Sequence, residues 1–114
     1  MSDAALKFRK QTSEMLRAAM AARETEAVSA IRAVLAAVDN ASAIPKDEIA
    51  RLDPAVTEVP RRVVTGQMIA EILKHEIESR RLAQAEYERL GNLAQAEKYR
   101  VSLETLEQLL KLLA

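Results

Sequence analysis

The third predicted helix carries a charged pair among apolar positions. In KHEIESRRLAQAEYERLGN, residues 74–92, Glu76 and Arg80 are four residues apart, so a carboxylate and a guanidinium can meet on one helix face. The same face carries Met68, Ile69, Ile72, Leu73, Ser79, Ala83, Tyr87 and Leu90. A charge beside a core is tolerated only when it is paired and hydrogen-bonded. The pattern therefore predicts either a structural ion pair or a polar site.

The polar-site interpretation adds two residues of the second predicted helix. Arg32 and Asp39 flank its apolar stripe seven residues apart. Together with Glu76 and Arg80 they would line a polar groove between helices two and three that receives a partner. In the alternative, Glu76 and Arg80 form only a structural ion pair at the edge of the core, because ionic networks are often purely structural.

Apart from carboxylates, the sequence has few residues that could bind a metal ion or catalyse a reaction. His75 is the only histidine and has no nitrogen or sulfur ligand near it in the sequence, so a metal site would need carboxylates alone. The chain has no cysteine, no Gly-rich phosphate loop and no HExxH motif. We expect His75 to be exposed, and we expect no catalytic residue, no metal and no cofactor.

Composition predicts a single all-α domain over residues 1–114, an antiparallel bundle of about four helices. The 114 residues suffice for one compact domain, and they include only two glycines, three prolines and 3% aromatic residues. No apolar run approaches the roughly 20 residues that span a bilayer. The N-terminal MSDAALKFRKQ is charged where a signal peptide is apolar. We therefore expect a cytoplasmic protein without a membrane partner.

Two N-terminal segments have the helical period. In the first, residues 3–22, the apolar side comprises Ala5, Phe8, Thr12, Met15, Leu16 and Ala19, and the charged side comprises Lys7, Lys10, Glu14 and Arg17. The second begins at Thr25, the predicted N-cap, and continues until Pro45 stops the helix. Residues 45–64 contain three prolines without a sustained period, so we predict a long loop there.

The C-terminal half predicts a helical hairpin. Thr65 is the predicted N-cap of helix three, and Gly91 can take the left-handed conformation that ends it. Asn92 and Gln95 have the spacing of a capping box that opens helix four. Its apolar seam is formed by Ala96, Tyr99, Leu103, Leu106, Leu110 and Leu113. We expect this seam to pack within a monomer, and the alternative is a weak homodimer.

Contact with nucleic acid would depend on local clusters of charge. The 17 basic and 17 acidic side chains give no overall positive field. The candidate phosphate-binding residues are Lys7, Lys10, Arg17, Arg61, Arg62 and Arg81. Acidic neighbours such as Glu14, Glu58 and Glu78 reduce the local field, so an ordinary solvated surface is the alternative.

Two segments resemble the GatB/YqeY family. Residues 16–44, LRAAMAARETEAVSAIRAVLAAVDNASAI, resemble its opening helical pair through Met20, Arg32, Asn40 and Ala41. Residues 61–110 are similar to its second half through Glu76, Arg80, Arg81, Tyr87, Gly91, Glu97 and Leu106. The similarity covers nearly the whole chain except the loop, and it rests on the order and spacing of these residues together.

The resemblance implies a function that the residue pattern does not give. The family includes small stand-alone bacterial proteins and the tail of the B subunit of the glutamyl-tRNA(Gln) amidotransferase, which contacts tRNA while the chemistry occurs elsewhere. It implies a tRNA-associated helical module without an active site of its own, with amidotransferase activity only by kinship. The second small C-terminal subdomain of longer relatives is expected to be absent. The alternative is a protein–protein adapter that docks on a larger enzyme through the leucine seam of helix four or the loop.

Overall fold

The described part of the chain is built from helices. The computed structural model describes residues 1–43 and 63–114. Its helices are α1 (Asp3–Ala21), α2 (Thr25–Ala41), α3 (Gly66–Arg89) and α4 (Leu93–Lys111). This confirms the all-α prediction and the order of the four helices. Most of the predicted loop over residues 45–64 lies outside the described residues.

Side-chain caps begin the last two helices where the sequence places them. The Thr65 hydroxyl accepts a hydrogen bond from the Met68 amide at 3.2 Å, at the start of α3. The Asn92 side-chain carbonyl accepts one from the Gln95 amide at 3.2 Å, at the start of α4. Both predicted caps are confirmed. The start of α2 differs from the prediction, because Thr25 lies inside the helix and the residue before it, Glu24, makes no side-chain capping bond.

Gly91 closes α3 and turns the chain into α4. Its φ of 74° is in the left-handed region that glycine adopts without strain. The Asn92 amide donates to the Tyr87 carbonyl at 2.9 Å, and the Gly91 amide donates to the Glu88 carbonyl at 3.1 Å. This pair of bonds is the Schellman motif. The predicted turn is confirmed, and α3 and α4 share the most extensive helix contact in the described chain.

The same motif joins α1 to α2 without a glycine. Arg23 has a φ of 57°, its amide donates to the Met20 carbonyl at 3.1 Å, and the Glu24 amide donates to the Ala19 carbonyl at 2.9 Å. A residue with a Cβ atom is strained in this conformation. The turn is therefore recognisable from the backbone geometry, whereas the sequence offers no glycine to mark it.

A continuous core lies between the four helices. Its largest fully buried side chains are Phe8, Thr12, Ile31, Val34, Val38, Val64, Ile69, Leu73, Leu106 and Leu109. The predicted apolar side of α1 is confirmed, with Met15 and Leu16 partly buried. The face predicted for α3 is partly wrong, since Ser79 and Leu90 are exposed while Ile77 is buried. The α4 seam packs inside the chain, with Leu103 and Leu106 buried.

The tip of the α3–α4 hairpin extends beyond the core. None of residues 78–95 is buried, and Leu82, Leu90 and Leu93 are exposed. The tip is held together by the rings of Tyr87 and Tyr99, which stack with their centroids 5.7 Å apart at an interplanar angle of 20°. This projection accounts for the exposure of Leu90, which the helical period alone assigns to the core face.

Candidate functional site

Glu76 and Arg80 form the predicted ion pair. Arg80 Nη1 donates to Glu76 Oε2 and also lies 3.4 Å from the backbone carbonyl of Glu76. The side chain of Arg80 is 18% exposed and that of Glu76 is 26% exposed. Both charges are therefore half-buried and compensated within one helical turn. This geometry fits the structural interpretation of the pair.

Arg32 and Asp39 do not join this pair. Arg32 Nη2 lies 3.8 Å from the sulfur of Met20, and Asp39 Oδ1 accepts from Arg9 Nη1 at 2.5 Å. Met20 and Arg9 both belong to α1. The structure therefore places Arg32 and Asp39 against α1, and the groove predicted from all four residues is not assembled. Arg9 had no role in the sequence interpretation, because its partner lies 30 residues away.

The groove between the C-terminal half of α2 and the N-terminal half of α3 has a different lining. It has a volume of about 390 Å³ and is bordered by Ala37 and Ala41 of α2 and by Met68 and Ile72 of α3. Its rim carries the side chains of Glu71, His75 and Glu76. The surface is mainly apolar, so it suits a nonpolar group better than the polar partner expected from the sequence. His75 is exposed, as predicted.

A second, polar cavity lies where α2, α3 and α4 meet. It has a volume of about 220 Å³. Glu26 and Ser29 come from α2, Arg80 from α3, and Lys98 and Ser102 from α4. No helix contributes more than a few of the polar groups, and only the packing of the three helices brings them together. This is why periodicity within single helices did not predict the cavity.

The basic residues predicted to bind nucleic acid do not form one patch in the described chain. Lys7, Lys10 and Arg17 are exposed on α1, and none of them forms an ion pair among the described residues. Arg81 lies on α3, where its guanidinium nitrogens are 3.7 Å from Glu107 Oε1 and 4.0 Å from Glu78 Oε2. Arg61 and Arg62 lie outside the described residues. Lys7, Lys10 and Arg17 therefore give the outer face of α1 three cations without an ion pair in the described chain.

Ion pairs occupy most of the charge on the exposed side of α4. Arg100 donates to both carboxylate oxygens of Glu97, at 2.8 and 2.6 Å, and to Glu104 at 2.6 Å. The hydrogen bonds from Arg100 lower the pKa of Glu97 below its ordinary value. Those with Glu97 raise the pKa of Arg100, and the charge of Glu104 adds to the effect. Arg89 likewise lowers the pKa of Glu86 at the hairpin tip.

The core holds one polar group that the sequence pattern did not distinguish. Thr12 is fully buried, and its hydroxyl has no hydrogen-bond partner in the described part of the chain. The side-chain oxygen of the preceding Gln11 is also buried, and no donor among the described residues reaches it. An unsatisfied buried hydroxyl lowers stability. By contrast, the buried Thr105 donates its hydroxyl hydrogen to the Val101 carbonyl at 3.2 Å.

The described helices contain neither a candidate metal site nor a candidate membrane-spanning segment. Across residues 1–43 and 63–114, no three His, Cys, Asp or Glu side chains are grouped so that they could hold a metal ion. None of the helices in these ranges has the length and apolar character needed to cross a membrane. Comparison with known proteins finds no matching family model, no matching curated protein and no matching solved structure.

Proposed function

We propose that this protein is a non-catalytic helical module that binds RNA in the cytoplasm, in association with tRNA or translation. The observation that carries the proposal is the outer face of α1. Lys7, Lys10 and Arg17 lie on it within about 15 Å along the helix axis, exposed and without ion pairs in the described chain. The resemblance to the GatB/YqeY family, whose amidotransferase tail contacts tRNA, supports the same function.

The pairing of three cations outside α1 supports this assignment. Arg81, Arg89 and Arg100 are held by neighbouring carboxylates, so a phosphate would have to displace an existing partner. Lys7, Lys10 and Arg17 need no such exchange, because binding would displace only water from them. Asp3 and Glu14 lie on the same helix and oppose the local field. We therefore expect the protein to bind RNA tightly at low salt and only weakly at physiological salt.

The proposal gives a quantitative salt dependence. Neutralising three phosphates releases their condensed counterions, so log K should fall with log salt with a slope of about −2 for single-stranded and about −3 for double-stranded RNA regions, taking the coefficients known for DNA. A slope near zero would mean that phosphates contribute little to binding.

Two matched triple variants test the location of the contact. In the first, Lys7, Lys10 and Arg17 are each replaced by Gln. In the second, Arg81, Arg89 and Arg100 are each replaced by Gln, which changes the net charge by the same three units. Binding should be lost in the first variant and kept in the second, with circular dichroism showing that both remain helical. Equal loss in both would contradict a specific role for α1, because net charge alone would then explain the binding.

A protein–protein adapter is the second candidate function. The leucine seam of α4 packs inside the chain, so the adapter would use another surface. The exposed leucines of the hairpin tip offer one, with Leu90 61% and Leu93 70% exposed. This candidate predicts partner binding through apolar contact with little salt dependence. Replacing Leu90 and Leu93 by Ser should abolish partner binding while leaving stability nearly unchanged, and retained binding would exclude the tip as the interface.

A further inference from the structure

The polar cavity between α2, α3 and α4 contains side chains whose hydrogen-bonding capacity is not used within the described chain. Arg80 engages Glu76 through Nη1 only, so its Nε and Nη2 groups have no acceptor there. Ser102 is buried and its hydroxyl makes no hydrogen bond, whereas Thr105 on the next turn bonds to a backbone carbonyl. Donors with unused capacity thus converge from two helices on one concavity.

Two further charges of opposite sign line the same cavity. Glu26 on α2 is half-buried, Lys98 on α4 is exposed, and neither forms an ion pair among the described residues. The charge of Arg80 is already compensated by Glu76. The remaining charges are therefore one carboxylate and one ammonium, which sum to zero. A ligand that carries both signs matches this arrangement better than a multiply charged anion.

The size of the cavity limits the ligand. Its volume of about 220 Å³ is below the range of about 300–1,000 Å³ that is typical of pockets for drug-sized molecules. A nucleotide would not fit inside it, whereas a small polar molecule would. The hydroxyls of Ser29 and Ser102 and the amide of Gln95 supply neutral donors and acceptors on the walls.

We propose that this cavity binds a small zwitterion of the α-amino acid class. The ligand carboxylate lies against Arg80 and Lys98, and its ammonium group lies against Glu26. The serine hydroxyls and the Gln95 amide contact the rest of the molecule. The proposal is independent of RNA binding, because the basic face of α1 contributes no residue to this cavity.

Nuclear magnetic resonance titration of the ¹⁵N-labelled full chain tests the proposal. The probes are the twenty standard amino acids, with acetate and methylammonium as single-charge comparisons and inorganic phosphate as a multiply charged anion. At least one amino acid should give saturable shifts of the backbone amides of Ser29, Ala30 and Ser102, at a concentration at least tenfold lower than any single-charge probe. Absence of saturable shifts at these amides for every amino acid, or tighter binding of phosphate than of any amino acid, would overturn it.

Charge-neutralising variants separate a zwitterion from a simple anion. Glu26→Gln should weaken amino-acid binding at least tenfold, because the ammonium group loses its partner. For a simple anion the same change would strengthen binding, and that result would overturn the proposal. Lys98→Gln should also weaken binding, while Lys74→Gln, an equal charge change on an exposed position of α3 outside the cavity, should leave it unchanged. Each of these variants leaves the pair of Glu76 and Arg80 intact.

Discussion

Replacing Thr12 by Val should stabilise the protein. The Thr12 side chain is completely buried and its hydroxyl has no hydrogen-bond partner among residues 1–43 and 63–114, so the folded state carries the desolvation cost of a polar group without compensation. Valine keeps the branched shape and replaces the hydroxyl by a methyl group, and the two residues have similar helix propensity. An unsatisfied buried group costs about 1–3 kcal/mol, so we expect a gain of about 1–2 kcal/mol after imperfect packing of the new methyl.

Thr105→Val provides the matched control. Thr105 is also buried in a helix, but its hydroxyl hydrogen bonds to the Val101 carbonyl at 3.2 Å. The substitution removes a satisfied bond and should lower stability by about 0.5–1.5 kcal/mol. The two variants therefore change stability in opposite directions although the chemical change is identical.

Urea and thermal denaturation followed by circular dichroism measure both effects. For a chain of this size the gain at Thr12 corresponds to an increase in Tm of about 4–8 °C, and the slope of the urea transition should be unchanged. A Thr12→Val variant that is no more stable than the wild type would refute the reasoning, because it would mean that the hydroxyl is satisfied in the folded protein.

Three further predictions concern charges and turns. Arg80→Ala should lower the free energy of unfolding, measured by urea denaturation, by about 1–2 kcal/mol. This value lies between those for exposed and buried ion pairs, because the bond from Arg80 to Glu76 is half-buried. An unchanged urea transition would show that the pair does not contribute to stability. Arg23→Gly should stabilise the protein by about 0.5–1 kcal/mol. The steric cost of a left-handed φ for a residue with a side chain exceeds the additional chain entropy that glycine loses on folding. A lower Tm for the variant would contradict this prediction. Arg100→Gln should raise the pKa of Glu97 towards its ordinary value in a carboxyl titration followed by NMR. If the pKa of Glu97 is the same in the variant as in the wild type, Arg100 is not the cause of the shift. Because the pKa of Glu97 is lower in the folded than in the unfolded protein, this carboxylate stabilises the fold at pH values above its unfolded pKa. That stabilisation is lost as the pH falls through the folded pKa.

Local sequence signals predicted the fold well. Thr65 and Asn92 cap their helices as expected, because a cap is an interaction over three residues. Gly91 marks its turn because glycine takes a left-handed φ without the steric cost of a Cβ atom. The turn at Arg23 uses the same hydrogen bonds with a strained residue, so no glycine in the sequence indicated it.

Tertiary contacts account for what the sequence did not predict. Helical period alone cannot show that α3 leaves the core after Ile77, so the period assigns Ser79 and Leu90 to the buried face although both are exposed. Asp39 pairs with Arg9, from a helix that starts far away in the chain. The polar cavity likewise exists only after three helices pack, and of its lining the sequence predicts only Arg80 of α3 as a candidate site residue.

The most direct test of the proposed function is a titration of the full chain with bulk tRNA, read by fluorescence anisotropy at low and at physiological salt. RNA binding through α1 predicts micromolar or tighter affinity at low salt, which weakens as salt rises and disappears when Lys7, Lys10 and Arg17 are replaced by Gln. Absence of binding even at low salt would contradict the proposal and would favour the adapter.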